Sequence, residues 1–316
     1  MLPVYNESAG IVTFHEEILL PALEAGLRDR FEIIYVNDGS SDDSLRHLTA
    51  IAEGTPAVRV VNLSRNFGKE IATSAGIAHA RGDATMILDS DGQHPPELVG
   101  RFLDKWRSGA QVVVGVRQSN QNEGIAKRLG SKMFYRLLNS ISEMRTVPRS
   151  TDFRLIDRDV RREFLRFTER NRITRGLIDW LGFERDYVEF HAPARIAGEA
   201  SYTIGKLVRL ALNSFTTMSL RPLFFFGYLG VAITLLSLIS GLFIIFEQFI
   251  LGDPLLLNIT GAAMLGIFVS FLVGIVLSAQ GMMALYLSHI HAETQHRPLF
   301  VIDRARSIGL ISDDDA

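Results

Sequence analysis

The feature that most constrains this chain is the alternation of short β-branched runs with helical stretches over its first 120 residues. Strands are expected at Glu32–Asn37, Arg59–Leu63, Thr85–Leu88 and Gln111–Val116. Helices are expected at Ile11–Arg28, Ser44–Glu53, Lys69–Ala80 and Pro96–Ser108. Further along, Ile156–Phe167 and Ile173–Trp180 read as short helices and Arg185–His191 as a strand. Apolar strands separated by helices specify an α/β fold, a mostly parallel sheet covered on both faces. Ligands of such sheets sit beyond the carboxyl ends of the strands. Here those ends are polar: Asn37-Asp38-Gly39-Ser40, Ser64-Arg65-Asn66-Phe67-Gly68, Asp89-Ser90-Asp91-Gly92-Gln93 and Arg117. Four polar ends on one rim point to one site.

Leu2-Pro3-Val4 reads as the end of a first strand running into Tyr5-Asn6-Glu7. A central strand normally has about five residues, so the reading favours a start further upstream over a stub. Met1 to Gly10 is polar and turn-rich, unlike a signal peptide.

Asp89 and Asp91 lie two apart at a strand end, so their carboxylates share one side. Two such groups about 6–7 Å apart repel unless a cation lies between them. Hard oxygen donors suit magnesium or manganese bridging to substrate phosphates, and Gln93 offers a further oxygen. Arg65, Lys69, Arg117 and Arg128 are the cations available for an anionic ligand, with Lys127 and Lys132 better read as a solvated helix face over Gly124–Asn139.

Zero cysteine excludes disulfides, thiolate zinc sites and cysteine nucleophiles. With 33 Lys+Arg against 35 Asp+Glu, the net charge of −2 argues against a nucleic-acid binder. The apolar excess lies after Arg221. Phe224 to Phe246 and Ile259 to Leu287 carry no charge, and as helices would be about 35 and 43 Å long against a hydrocarbon core of about 30 Å. They are expected to form a two-helix transmembrane hairpin over 223–288. Lys206, Arg209 and Arg221 before it and Arg297, Arg304 and Arg306 after it place both termini, and residues 1–200, on the cytoplasmic side of the inner membrane. The pattern of 201–222 suits an amphipathic helix in the bilayer interface, and 289–316 would form a cytoplasmic tail. Ala262, Gly266, Ser270, Gly274 and Ser278 form a small-residue stripe that would receive the other span or a second copy in a homo-oligomer.

The motifs Pro3-Val4-Tyr5-Asn6-Glu7, Val36-Asn37-Asp38-Gly39-Ser40, Leu63-Ser64-Arg65-Asn66-Phe67-Gly68 and Asp89-Ser90-Asp91-Gly92-Gln93-His94-Pro95-Pro96-Glu97 resemble family 2 of the inverting glycosyltransferases. Thr151-Asp152-Phe153-Arg154-Leu155-Ile156-Asp157-Arg158 and the apolar hairpin resemble its polyprenyl-phosphate branch, and the likeness runs almost to Arg297-Pro298-Leu299. The resemblance implies a GT-A fold and transfer of a sugar, UDP-hexose before GDP-mannose, from a nucleotide-sugar to polyprenyl (undecaprenyl) phosphate. It implies that Pro3, Tyr5, Glu7, Asp38, Arg65, Asp89, Ser90, Asp91 and Arg117 bind the nucleotide-sugar. Asp89, Asp91 and Gln93 would hold Mg2+ or Mn2+. Asp152 would be the catalytic aspartate with Arg154 beside it, and Arg117, Arg128, Arg195 and Ser201 would face the acceptor phosphate. Similar sequences carry Ser-Lys before the tyrosine where this chain has Ala200-Ser201-Tyr202, leaving Arg195 or Lys206 as the substitute cation.

Two other readings are weaker. A processive polysaccharide synthase carries a Gln-x-x-Arg-Trp motif and more apolar helices, neither of which occurs here. A non-catalytic membrane scaffold has no need of the intact acidic and Thr151-Asp152-Phe153 motifs.

Overall fold

The computed structural model describes residues 1–27, 31–118, 150–170, 172–191 and 261–310, with the single positions 193, 233, 235, 239 and 246. The chain divides into two compact units. The first comprises Met1–Asn139, Met144–Tyr202 and Arg297–Ala316, the second Ser140–Glu143 and Thr203–His296.

In the first unit, strands β1 (Leu2–Val4), β2 (Ile33–Asn37) and β3 (Val58–Asn62) form a parallel sheet, with Pro3 opposite Val36 and Tyr35 opposite Val60. Strands β4 (Ala84–Ile87), β5 (Val112–Arg117), β6 (Ser150–Asp157) and β7 (Arg185–Phe190) form a second sheet in the order β4-β6-β5-β7. In it β6 runs antiparallel to both neighbours, and β7 runs parallel to β5. Met1 joins the two sheets: its ammonium donates to the Met86 carbonyl at 2.6 Å, and its carbonyl accepts from Leu88 N–H at 3.1 Å. The intervening helices are α1 (Ile11–Thr13), continued by a π-helical stretch Phe14–Leu19 into α2 (Leu20–Gly26), then α3 (Ser44–Gly54), α4 (Lys69–His79) and α5 (Val99–Arg107). After β6 come α6 (Arg158–Phe164) and α7 (Thr174–Trp180). The α/β architecture expected from the alternation is the one observed.

Both faces of the strands are covered, which is why they read as unbroken apolar runs. Tyr35, Val60, Phe153 and Leu155 pack into one core; Ile34, Val36, Val61 and Ile156 pack into the other. Successive residues point to opposite faces, and each large buried side chain contributes about 1.5–3 kcal/mol.

One element expected from the sequence is corrected here. Residues expected to begin a helix at Ile156 belong instead to β6, and Leu155 and Ile156 enter different cores as strand alternation requires. The helix starts at Arg158, where the Asp157 carboxylate accepts the Asp159 N–H at 2.8 Å as an N-cap.

The C-terminal segment returns to this unit. Ile302 bridges Leu63 and Ile308 bridges Val60, both antiparallel, so the segment covers the free edge of β3. Asn62 N–H donates to Ser307 Oγ (3.0 Å), and Arg59 Nε donates to the Gly309 carbonyl (2.8 Å).

In the second unit the described element is α8 (Gly261–Thr294), on which Leu265, Phe268, Val269, Val273 and Val276 are exposed. Among the described residues no helix is long and apolar enough to cross a membrane. The transmembrane hairpin and the multi-pass inner-membrane location expected from the sequence are corrected accordingly. That expectation rested on the apolar excess and charge-free length of the two runs and on their resemblance to the polyprenyl-phosphate branch. The run Phe224–Phe246 lies outside the described residues apart from single positions, and taken over its described residues the second run does not meet the requirement. The amphipathic helix expected at 201–222 lies outside the described residues, as does the helix at Gly124–Asn139.

Candidate active site

The rim at the carboxyl ends of β1 to β4 is built by loops that fasten one another. Backbone N–H groups of Asn6, Glu7 and Ser8 donate to Ser40 Oγ (3.0 Å), Ser44 Oγ (2.9 Å) and Asp42 Oδ2 (3.1 Å). Ser41 N–H donates back to Asn6 Oδ1 at 2.9 Å. Asn6 sits at φ 55°, a left-handed conformation that asparagine tolerates. Slight burial would raise the Asp42 carboxyl, but the hydrogen bonds from Ser44 and Ser8 outweigh it and hold the pKa at about 2. The clamp presents Tyr5 at the rim with 48% of its surface exposed.

Asp38 is buried, and both its oxygens are engaged: Phe67 N–H donates to Oδ1 (2.7 Å) and Gly68 N–H to Oδ2 (2.9 Å). Burial pushes its pKa up despite those donors and the nearby Arg65. Gly39 adjoins at φ +61°, where a Cβ would meet the Arg65 carbonyl carbon at 2.3 Å. Only glycine lets the 37–40 loop approach the 64–68 loop so closely. Asp38, expected to contact the nucleoside, thus holds the second loop in place. Arg65 is exposed, its guanidinium 4.0 Å above the Phe67 ring.

The centre of the rim is acidic. β6 runs antiparallel, so its first residues arrive where the parallel strands end. Ile87 pairs with Arg154, and extending that register by two residues brings Asp89 opposite Asp152. Lys69, the first residue of α4, bridges them: its Nζ lies 2.7 Å from Asp89 Oδ1 and 3.1 Å from Asp152 Oδ2. Arg175 Nη1 stands 4.0 Å from Asp152 Oδ1. Burial would raise the Asp152 pKa, but Lys69 and then Arg175 outweigh it, holding the carboxyl below its ordinary value. Burial would lower the Lys69 pKa, and the two carboxylates raise it. A lysine ammonium thus joins Asp89 to Asp152, a pairing distinct from the divalent cation expected between Asp89 and Asp91.

Supports lie beneath. The His94 ring stacks on Phe153 (centroids 4.9 Å apart, 11° between planes), and its Nδ1 accepts the Asp89 N–H at 3.0 Å. That bond leaves the proton on Nε2, which faces Asp89 Oδ2 at 3.8 Å. Burial pushes the His94 pKa down, so the ring is neutral at pH 7. Ser90 Oγ donates to the Pro3 carbonyl (3.1 Å), tying the acidic loop to β1. Asp91 Oδ1 accepts from the Gln93 N–H at 3.0 Å.

Arg154 is fully buried. It donates from Nη1 to Asp179 Oδ1 (2.7 Å), from Nη2 to Asp179 Oδ2 (3.4 Å), and from Nε to the Thr151 carbonyl (3.1 Å). It does not reach the rim surface; it braces the strand that carries Asp152. Arg117 is exposed at the end of β5. Arg128, Arg195 and Ser201, expected at the acceptor phosphate, lie outside the described residues. Sequence reasoning gave no role to His94, Arg175 or Asp179, and named Lys69 only as one cation among several. Its place directly after Gly68, at the start of a helix leaving the rim, was the available signal.

Residues 1–165 match the model of "Glycosyl transferase family 2". An uncharacterized glycosyltransferase of Synechocystis sp. is 37% identical over 96% of this chain and 93% of its own length. A prophage bactoprenol glucosyl transferase homolog of Escherichia coli is 33% identical over 97% of this chain and 98% of its own. The bactoprenol glucosyl transferase of Shigella phage SfV is 33% identical over 96% of each. Among solved structures, mannosyl-3-phosphoglycerate synthase of Rubrobacter xylanophilus superposes at a TM-score of 0.46, with 17% identity over 67% of this chain and 69% of its own, a likeness too distant to argue from.

Proposed function

The chain belongs to glycosyl transferase family 2, and on that premise we propose that it moves a hexosyl group from a nucleotide-sugar, UDP-hexose before GDP-mannose, to the phosphate of a polyprenyl phosphate. The names of the Escherichia coli and phage relatives support a polyprenyl acceptor. The observation that carries the reading is the meeting of Asp89 and Asp152 on Lys69, at the rim where Tyr5 is exposed.

Tyr5 offers a flat apolar face for the nucleobase. The acidic loop suits a divalent cation. Lys69 already stands in for one against Asp89, and the donors are hard carboxylate oxygens that fit Mg2+ or Mn2+. No cluster of three His, Cys, Asp or Glu side chains that could hold a metal occurs among the described residues. Asp89 and Asp91 would thus hold the ion from one side and leave positions for the donor diphosphate. When bound, the ion would neutralise charge on the leaving diphosphate.

The acceptor is a phosphate monoester with a second pKa near 6, so at neutral pH it is largely a dianion and already nucleophilic. Its oxygen attacks the anomeric carbon, the bond from that carbon to the diphosphate breaks on the opposite face, and the configuration inverts. Asp152, ionised beside Lys69 and Arg175, positions this oxygen or takes its remaining proton. Arg154 and Asp179 keep the start of β6 in register for that task.

The test is transfer of label from radioactive UDP-glucose or GDP-mannose to undecaprenyl phosphate in detergent, read in the organic phase. Wild-type transfer with loss in Asp152→Asn at unchanged donor affinity supports the reading. Absence of transfer from every common donor overturns it in favour of a binding protein.

A further inference from the structure

We propose that Lys69 is a tethered cation that competes with the divalent metal for Asp89 and makes metal binding depend on the donor diphosphate. The inference rests on the glycosyltransferase reading above and deepens it.

The geometry is specific. Lys69 Nζ makes its shorter contact, 2.7 Å, with Asp89, the first carboxylate of the acidic loop, and a 3.1 Å contact with Asp152. A metal ion on Asp89 and the ammonium cannot use the same oxygen at once. The Lys69 side chain is 48% exposed and has four methylenes, so it can swing away without opening the core. Asp152 would not be left bare, because Arg175 stands 4.0 Å from its other oxygen.

The charge count explains the coupling. Asp89 and Asp152 face Lys69 and Arg175, while Arg154 is neutralised by Asp179. Two negative charges meet two positive ones. Adding a dication alone turns the site net positive and displaces an ammonium with no new partner. Adding it with a diphosphate supplies the missing anion, and the freed ammonium gains phosphate oxygens. Metal and nucleoside diphosphate should therefore bind with positive coupling, and linkage requires the effect to be reciprocal.

The experiment is a Mn2+ titration of the whole protein, followed by the electron paramagnetic resonance signal of free Mn2+, with and without UDP and without acceptor. In the wild type, Mn2+ alone is expected to bind weakly and to tighten when UDP is present. In Lys69→Met, Mn2+ alone should bind up to about fivefold more tightly, the scale of losing one partly exposed ion-pair competitor, and the tightening by UDP should shrink. Lys69→Gln, which keeps polar contact with both carboxylates, gives the same test should the methionine variant fold poorly; Lys69→Arg should behave as the wild type. Mn2+ affinity in Lys69→Met and Lys69→Gln no higher than wild type overturns the inference while leaving the metal reading intact. Binding unaffected by Asp89→Asn and Asp91→Asn overturns the metal reading itself, and the Lys69 inference with it.

Discussion

Arg154→Met and Asp179→Asn separate a bracing role from a catalytic one. Arg154 has no exposed surface, and its only carboxylate partner at contact distance among the described residues is Asp179, held at 2.7 and 3.4 Å. Removing one member of a buried pair leaves an uncompensated charge at a cost of about 3–5 kcal/mol. The two deletions are not equivalent. In Arg154→Met, Asp179 keeps Arg185 at 3.3 Å, so the loss should fall near the lower bound, about 3 kcal/mol. In Asp179→Asn the stranded group is a guanidinium with no second carboxylate at contact distance among the described residues, and the loss should approach the upper bound, about 5 kcal/mol. Stabilities of single domains are about 5–15 kcal/mol, so either change is a large fraction of the total. Urea unfolding at pH 7, followed by tryptophan fluorescence, measures both. The double variant Arg154→Met with Asp179→Leu removes both charges and should recover most of the stability, because an apolar replacement of a buried pair is often neutral. It should also retain measurable transfer, since Asp152 is untouched. Single variants as stable as the wild type, or a stable double variant with no transfer, would refute the bracing role and return Arg154 to the chemistry.

Three further outcomes follow from the rim. Asp38→Asn offers one acceptor where the Phe67 and Gly68 amides need two; it should cost about 1–3 kcal/mol and speed hydrogen exchange at those amides, and unchanged protection there would count against the assignment. Tyr5→Ala should weaken UDP binding by the roughly 1–3 kcal/mol of a base–aromatic stack while leaving the melting temperature alone, because the ring is half exposed; calorimetric titration with UDP decides it. The Asp42 carboxyl, lowered from 3.8 to about 2, binds protons more readily in the unfolded chain, so its contribution is present above pH 4 and disappears as the pH falls towards 2. Two pKa units correspond to at most about 3 kcal/mol, which partial exposure reduces to about 1. Acid titration of stability should be that much flatter in Asp42→Ala, and parallel curves would show that the loop clamp does not work as described.

The parts of the site that were legible in the sequence share one property: their partners are near in the chain or fixed by strand order. Strand ends at Asn37-Asp38 and Asp89-Ser90-Asp91 follow from apolar runs and turn residues, and a parallel sheet gathers such ends on one rim whatever the loops do. β6 was illegible because a strand buried on both faces has no polar alternation, and Leu155-Ile156 leads directly into the helical stretch that follows. That single omission hid the geometry that matters. Only an antiparallel strand brings its beginning to the rim, and only the pairing of Ile87 with Arg154 sets Asp152 against Asp89. It also reverses the reading of Arg154. The charged residue two places after a catalytic aspartate looks like part of the chemistry in the sequence. Asp152 is partly exposed at the rim, whereas Arg154, at the same spacing, is drawn beneath Thr151 towards Asp179. Lys69 carries the same lesson for charge. The sequence supplies an ammonium, but its partners are 20 and 83 residues away, and only the sheet topology determines that it falls between two carboxylates instead of facing solvent.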